Sequence, residues 1–426
     1  MKAVFTPCIA NGVEGMYINE TRFKTSRISI NMYVPNKREN CEANALLSGL
    51  MMRASKDYPG FTELNRRLSE LYGATLFADV AKYGDMQLVK FVIGVLDDSY
   101  TLENENVSAA ATDLLLSMIF EPVLENGVFR SEDFESEKRI LRENIEGEIN
   151  DKRRYAINTA EKMLFENEPS GNPRYGTVEA LNSLTAEDTV KAWRQLIKTA
   201  YVRVNVISKS APDSVYNKVA QYFSTLNRNV EKTNYTLVHT FGGEVKQLEE
   251  KMDVTQGKMC LAFCYDADGS EDEKIAARVM TDMFGGGPYS KLFRNVREKE
   301  SLCYYCAAIP NHLKGTVMVD SGILEENRVK AYDGILRELE AMKKGDFTDE
   351  DVTASKISLC DSARTISDSP VDIDTWYSMR CYNTAYSDPD EFIGAIMAVT
   401  KERIVAVANK MKLEAVYFLA SEGEAE

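Results

Sequence analysis

The chain says the same thing twice. Phe129-Arg-Ser-Glu-Asp-Phe-Glu-Ser-Glu-Lys-Arg-Ile-Leu141 matches Phe347-Thr-Asp-Glu-Asp-Val-Thr-Ala-Ser-Lys-Ile-Ser-Leu359, with Phe, Glu-Asp, Lys and Leu at identical spacing. Upstream, Phe61-Thr-Glu-Leu-Asn-Arg-Arg-Leu68 resembles Tyr289-Ser-Lys-Leu-Phe-Arg-Asn-Val296. Nearer the two ends, Leu184-Thr-Ala-Glu-Asp-Thr-Val-Lys-Ala192 parallels Val399-Thr-Lys-Glu-Arg-Ile-Val-Ala-Val407. Matches in the same order in each half imply a duplicated domain.

Each match has a physical reading. Thr185 and Thr400 read as helix N-caps followed by acidic residues, which the helix dipole favours in the first turn. Apolar residues then recur at helical spacing: Val190, Trp193 and Ile197 in one half, Ile404, Val407 and Met411 in the other. Each helix leads into a β-rich run, Tyr201–Ile207 and Ala415–Leu419. Strands also suit Arg27–Val34, Met86–Val95, Met259–Cys264 and Thr316–Ser321. Helices suit Ala43–Met52, Ala109–Ile119, Phe134–Ile149, Glu273–Phe284 and Lys330–Lys343. The order is α+β, without strict βαβ alternation. The polar stretch 229–249 reads as a linker between domains at 1–228 and 250–426.

The 426 residues suit about two domains, and 44% hydrophobic content is enough for real cores. No run approaches the roughly 18 apolar residues of a membrane span, and the N-terminal stretch does not read as a secretory signal. The expectation is a cytoplasmic chain. Eight cysteines in this length make no disulfide framework and read as reduced thiols. A net charge of −15 with no basic stripe argues against nucleic acid as a partner, while basic peptides would be attracted.

The run Phe284-Gly-Gly-Gly-Pro-Tyr-Ser-Lys-Leu-Phe-Arg-Asn-Val-Arg-Glu-Lys-Glu-Ser-Leu-Cys-Tyr304 is the most specific motif. It resembles the second domain of the insulinase or pitrilysin family, which includes the mitochondrial processing peptidase. There a glycine-rich turn precedes S-x-L-F-x-x-V-R-E-K and then L-x-Y. The resemblance implies two homologous domains of the LuxS/mitochondrial-processing-peptidase-like metallohydrolase type, each an antiparallel-rich sheet packed with helices.

In that family an inverted H-x-x-E-H helix of the first domain supplies two zinc ligands and a general base, and a later glutamate completes the site. The helix expected to carry it is Asn44-Ala-Leu-Leu-Ser-Gly-Leu-Met-Met-Arg-Ala-Ser55. Ala45 and Gly49 stand at the histidine positions and Ser48 at the glutamate position. Glu143 fits the third-ligand position; taken alone it is a carboxylate on a charged helix face. The two histidines, His239 and His312, lack neighbouring ligands at helical spacing and are expected at the solvent surface. The resemblance therefore implies a chain with no metal of its own and no autonomous peptidase activity, similar to the bacterial YmfF-like group.

Arg297 and Tyr304 match the pair that the family sets beside its active site to contact substrate carbonyls. A guanidinium fork and a phenol are donors, and donors stabilise developing negative charge. In paired members one chain carries zinc and the other keeps only this pair. That implies a zinc-bearing homologous partner chain and a peptide or unfolded polypeptide as substrate, with self-pairing possible in isolation. The alternative is a peptide-binding or scaffold protein without a proteolytic role; a neighbouring gene encoding an H-x-x-E-H homologue would separate the two. An autonomous enzyme with a relocated site is the third reading, and chelator-resistant peptide cleavage would favour it.

Other signals are weaker. Gly285–Gly287 read as a C-cap and tight turn where glycine avoids strain, since neither a P-loop nor a Rossmann context is present. Asp266-Ala-Asp-Gly-Ser-Glu-Asp-Glu273 reads as a turn with a Ser270–Glu273 capping box, not a calcium loop. Cys260 and Cys264, with Cys303 and Cys306, suggest a four-thiolate zinc site, but the intervening Leu-Ala-Phe and Tyr-Tyr suit strands and lack the glycine that tight zinc knuckles favour. No serine–histidine or cysteine–histidine nucleophile is identifiable.

Overall fold

A computed structural model describes residues 2–230, 238–265, 267–381 and 385–422. Part of the expected linker, and Asp266 of the calcium-like run, lie outside the described residues. The strands, in chain order, are β1 (Val4–Ala10), β2 (Val13–Asn19), β3 (Thr25–Pro35), β4 (Thr75–Tyr83) and β5 (Met86–Leu96). A short hairpin follows, β6 (Leu124–Glu125) with β7 (Val128–Phe129), and then β8 (Tyr201–Ser208). The later strands are β9 (Lys246–Met252), β10 (Gly257–Cys264), β11 (Cys303–Asn311), β12 (Thr316–Ile323) and β13 (Lys412–Ser421).

The chain separates into two compact units that are discontinuous in sequence. The first comprises Met1–Glu146, Asn172–Tyr235 and Ile366–Asp388; the second comprises Gly147–Gly171, Thr236–Thr365 and Pro389–Glu426. A cut between 228 and 250 therefore misplaces two helices. Lys152–Leu164 packs on β10 and β13 of the second unit, and Pro370–Ser378 packs on β3 and β8 of the first. Each follows its copy of the repeated helix, Ser131–Gly147 or Asp349–Thr365. Local periodicity reports that a helix has an apolar face, not which sheet covers it.

The first unit holds a six-stranded sheet in the order β1-β2-β8-β3-β5-β4. Its pairs are antiparallel except β2 with β8. The second holds a five-stranded sheet in the order β11-β12-β10-β13-β9, antiparallel except β13 with β9. Read from opposite ends, β2-β8-β3-β5-β4 and β9-β13-β10-β12-β11 have the same order and the same single parallel pair. The duplication in sequence is a duplication of topology.

The strands show why each sheet is covered on both faces. Along β3, Ile28, Ile30 and Met32 enter the core of the first unit, with Leu46, Leu47, Leu115 and Leu196 from its helices. The alternate residues Ser29 and Asn31 face the other way, as the period of two requires, and are also fully buried. Over that polar face lies Pro370–Ser378. Its Asp374, 0% exposed, accepts hydrogen bonds from Arg27 Nε (2.9 Å), Ser29 Oγ (2.6 Å) and Asn205 Nδ2 (2.9 Å), and pairs with Lys90 Nζ at 2.6 Å. In the second unit, Lys152–Leu164 covers the sheet with Ala156, Ala160 and Leu164 against Cys260, Ala262 and Tyr417. There the polarity is reversed: Arg153 on the helix binds the buried Asp320 of β12.

The expected caps form: Thr185 Oγ1 accepts from Asp188 N at 3.1 Å, and Thr400 Oγ1 from Arg403 N at 3.4 Å. Ser270 Oγ likewise accepts from Glu273 N at 3.2 Å, while Glu273 itself reaches back to Asp268 N. No helix among the described residues is long and apolar enough to cross a membrane.

Candidate functional site

The motif helix of the first unit runs Cys41–Leu50 and is buried on nearly every side. Ala45 is buried in the core with Leu46 and Leu47. Ser48 turns its hydroxyl back to donate to the Ala45 carbonyl at 2.7 Å, a local bond that consumes its proton. At Gly49 the absence of a side chain has a structural use. A Cβ there would lie 2.1 Å from Glu137 Oε2, so the Glu137 carboxylate occupies the space a side chain would take. Arg53, one turn further along the chain, holds that carboxylate through Nε at 2.5 Å and donates from Nη2 to Ser136 Oγ at 2.8 Å.

Glu143, the sequence-expected third ligand, is exposed and pairs with Arg139 Nη1 at 2.9 Å on its own helix. Six residues of α-helix separate it from Glu137 by about 120° around the axis, so the two address different faces. The carboxylate at the motif helix is Glu137. Its partner Arg53 was legible as the residue four beyond Gly49; the approach of Glu137 was not, because the two helices meet only through the fold.

Two imidazoles and a carboxylate are what a zinc site of this type requires. A methyl group, a hydroxyl bonded to its own helix and a glycine under an arginine-bound carboxylate do not fit that group. Among the described residues no three His, Cys, Asp or Glu side chains are grouped to hold a metal ion, and that covers the four cysteines on β10 and β11.

Both histidines are buried, contrary to the surface placement expected: His239 is 8% and His312 9% exposed. His239 Nε2 meets Glu414 Oε2 at 2.9 Å, its Nδ1 meets Glu168 Oε1, and Lys314 pairs with the other oxygen of Glu168. Burial pushes the imidazole pKa down, but the hydrogen bonds and charges of Glu168 and Glu414 outweigh it and raise it above the ordinary value. With both ring nitrogens on carboxylates, the protonated form suits the site. These partners lie 71 and 175 residues away in sequence, where no spacing rule reaches them.

In the second unit the Arg–Tyr motif is built with more specificity than its sequence announces. Leu292–Lys299 winds as a π-helix, with Leu292 and Val296 buried and Arg297 at its outer side. Such wide turns are uncommon and concentrate at functional sites. Arg297 lies over the Phe293 ring at 4.5 Å and donates from Nε to the Tyr304 carbonyl at 3.2 Å. Its Nη1 has only a long contact, 3.7 Å, to the exposed carboxylate of Glu298.

Tyr304 stands on β11, at the edge of its sheet. The register steps from Cys303↔Ile323 to Tyr305↔Gly322, so Tyr304 is the extra residue of a β-bulge. The bulge lifts its ring out of the ladder and leaves it 53% exposed. Gly322 is needed opposite, because a Cβ there would be 2.5 Å from the Tyr305 ring. The bulge also brings Cys303 and Cys306 to one side, where their thiols hydrogen-bond. The Cys306 bond leads Ser321 and the Arg297 charge in lowering the Cys303 pKa against burial. All eight cysteines are free thiols.

Gly286 is the C-cap of the helix Glu271–Gly285, as expected, and the three glycines also serve close approach, with no positive φ. Gly286 has φ −82°, and Gly285–Gly287 are absent from the positive-φ residues. A Cβ on Gly285 would sit 2.6 Å from the Ala308 amide nitrogen, and one on Gly286 2.4 Å from Asp282 Oδ2. Glycine here lets the helix Glu271–Gly285 press against β11 and so sets where Tyr304 emerges.

Comparison with known proteins agrees with this anatomy. Residues 183–359 match the family model described as the peptidase M16 inactive domain. The "probable inactive metalloprotease YmfF" of Bacillus subtilis is 27% identical over 411 residues, 96% of each chain. A conserved protein from Enterococcus faecalis shares the fold over the whole of both chains, with a TM-score of 0.91 and 28% identity. A peptidase M16 inactive domain from Pseudomonas fluorescens does so at 0.78 and 15%, again over 100% of each chain. Over residues 183–359 by family model, and over nearly the whole chain by sequence and fold, the chain is similar to inactive homologues of the peptidase M16 family.

Proposed function

We propose that the chain is the non-catalytic subunit of a heteromeric, cytoplasmic M16-type peptidase, in which a homologous partner supplies the H-x-x-E-H zinc site. The observation that carries this reading is the exposed donor pair on the second unit. Arg297 is stacked on Phe293 and tied to the Tyr304 backbone, which orients its guanidinium, while its outer nitrogens and the Tyr304 hydroxyl remain available. Donors fixed in this way suit the carbonyls of an extended peptide and the oxyanion formed when one is attacked. The first unit offers no comparable chemistry at its motif helix.

The test is co-purification from the native host, identification of the partner, and reconstitution. A homologue bearing H-x-x-E-H and zinc is expected. Arg297→Ala and Tyr304→Phe are each expected to lower kcat/KM of the reconstituted pair on the order of 10- to 100-fold without unfolding this chain. Unchanged turnover in both variants would remove the assigned role. Peptide capture with no zinc-bearing partner would favour a peptide-binding scaffold instead.

A further inference from the structure

The bulge that exposes Tyr304 also changes the relation between the two cysteines that flank it. In a regular strand, residues three apart point to opposite faces and lie about 10 Å apart. Here Cys303 stands opposite Ile323 and Cys306 opposite Ser321. The extra residue has put both cysteines on one face with the spacing of only two residues, about 6.5–7 Å. Cα atoms joined by a disulfide commonly lie about 4.4–6.8 Å apart. The bulge therefore brings within bridging reach a pair that an unbroken ladder would keep apart. Ser321 Oγ donates to the Tyr305 carbonyl at 3.0 Å and ties the bulge to its neighbouring strand.

The two thiols are not equivalent. Cys303 is 9% exposed and Cys306 5%, on the edge strand of the second sheet. The bond from the Cys306 thiol, with the Arg297 charge nearby, holds the Cys303 pKa below its ordinary value although burial opposes it. The same bond, and then burial, push Cys306 up. Cys303 is thus the sulfur that carries the thiolate, and Cys306 keeps its proton. Elsewhere burial pushes the thiols of Cys41 and Cys381 up to about 12, which leaves them inert at neutral pH. A thiolate beside a cation, with a second thiol in reach, is the arrangement that oxidation followed by resolution requires.

We propose that Cys303 is a modification site for hydroperoxides and Cys306 its resolving partner, so that oxidation closes a disulfide around the Tyr304 bulge. The Cys303 thiolate attacks one oxygen of hydrogen peroxide: an S–O bond forms, the O–O bond breaks, and hydroxide leaves as water after taking a proton from solvent. Cys306 then attacks the sulfenic sulfur of Cys303. The S–S bond forms, the S–O bond breaks, and the departing oxygen takes the Cys306 proton and one from solvent to leave as a second water. The two sulfurs lose two electrons and the peroxide gains them. The bridge fixes the bulge from which Tyr304 emerges and to whose carbonyl Arg297 is tied. Its consequence for a bound peptide rests on the donor-pair reading above; the oxidation itself does not.

The test uses the full reduced chain, exposed to hydrogen peroxide while folded, then alkylated, digested and read by mass spectrometry. Trypsin releases both cysteines in one peptide, Glu300–Lys314, so the bridge appears there as the loss of two hydrogens and blocked alkylation. That loss is expected to form at least ten times faster than any oxidation of Cys41 or Cys381, and to be reversed by dithiothreitol. In Cys306→Ser, confirmed folded by circular dichroism, Cys303 should accumulate as a sulfenic acid that dimedone captures; in Cys303→Ser, Cys306 should stay reduced. The exposed Cys8 reports that peroxide reaches the chain. Oxidation of Cys8 with Glu300–Lys314 unchanged, a bridge from Cys303 to any other cysteine, or dimedone capture at Cys306 in Cys303→Ser would each overturn the proposal. The readout is thiol chemistry on the isolated chain, so its failure would leave the zinc-partner test, which reads turnover, standing on its own.

Discussion

In the first unit, the helix Cys41–Leu50 uses Ala45, Ser48 and Gly49 for packing. Ala45 fills the core, Ser48 bonds its own helix, and Gly49 admits the Glu137 carboxylate held by Arg53. In the second unit, the π-helix and the bulged β11 keep two donors exposed and oriented. The sheets around them have the same strand order. The two copies thus share a topology, while an exposed donor pair stands on one of them alone. The polar faces teach a related lesson. Both sheets take a helix onto a charged bond, but the acid is on the helix in one unit and on the strand in the other. What is shared is a buried acid with a cationic partner, not the element that carries it.

That comparison can be broken most forcefully at Asp374. Asp374→Ala leaves Arg27 and Lys90 facing a buried void without their acid, and is expected to destabilise the first unit by about 3–5 kcal/mol in urea unfolding. Arg153→Ala should cost less, about 1–2 kcal/mol, because Arg153 is 47% exposed and its attraction to Asp320 is already screened by water. Equal losses would contradict the view that burial, not pair formation, sets the effect.

The charged cluster on His239 sharpens the second unit by pH. Its imidazole pKa is raised in the folded state, so the stability it contributes is full below the ordinary value near 6.5 and is lost as pH rises through the raised one. Glu168 works in the opposite sense. Its pKa is lowered by His239 and Lys314 against the burial that would raise it, so its contribution falls away only in acid. Thermal melts should therefore show stability declining as pH rises above the ordinary imidazole value, and His239→Gln should flatten that decline. A wild-type profile that is already flat would show that the cluster is not proton-linked.

The smallest effect lies at the motif helix. Gly49→Ala gains about 1 kcal/mol of helix propensity but displaces Glu137 from Arg53, so the net change should be near zero. In a Glu137→Ala background the same substitution should stabilise by about 1 kcal/mol. A double-mutant cycle in chemical unfolding reads the coupling directly, and additivity would show that the carboxylate does not rest on the glycine.

Much of this architecture could be read before any coordinates. The caps at Thr185, Thr400 and Ser270 formed as their side chains dictate, and the apolar alternation of β3, β5, β8, β10, β12 and β13 marked those strands. The motif singled out Arg297 and Tyr304, but neither the π-helix nor the bulge that places them has a local signature. What escaped has one physical cause, that long-range partners leave no local trace. Helix exchange between units, burial of His239 by carboxylates from two distant segments, and the choice of Glu137 over Glu143 all arise from contacts that periodicity does not encode. The cap and turn at Gly285–Gly287 are legible in the sequence, while the close packing against Ala308 and Asp282 that also requires glycine there is not.

The claim on which the rest depends is that this chain cannot activate water by itself, because its first unit lacks the ligands to hold the metal. Peptide hydrolysis by the purified chain, measured with a quenched fluorescent peptide library in added zinc and again with chelator, tests it most directly. The account predicts no turnover above the buffer blank in either condition. Zinc-dependent cleavage that disappears with chelator and with Glu137→Gln or Glu143→Gln would contradict it.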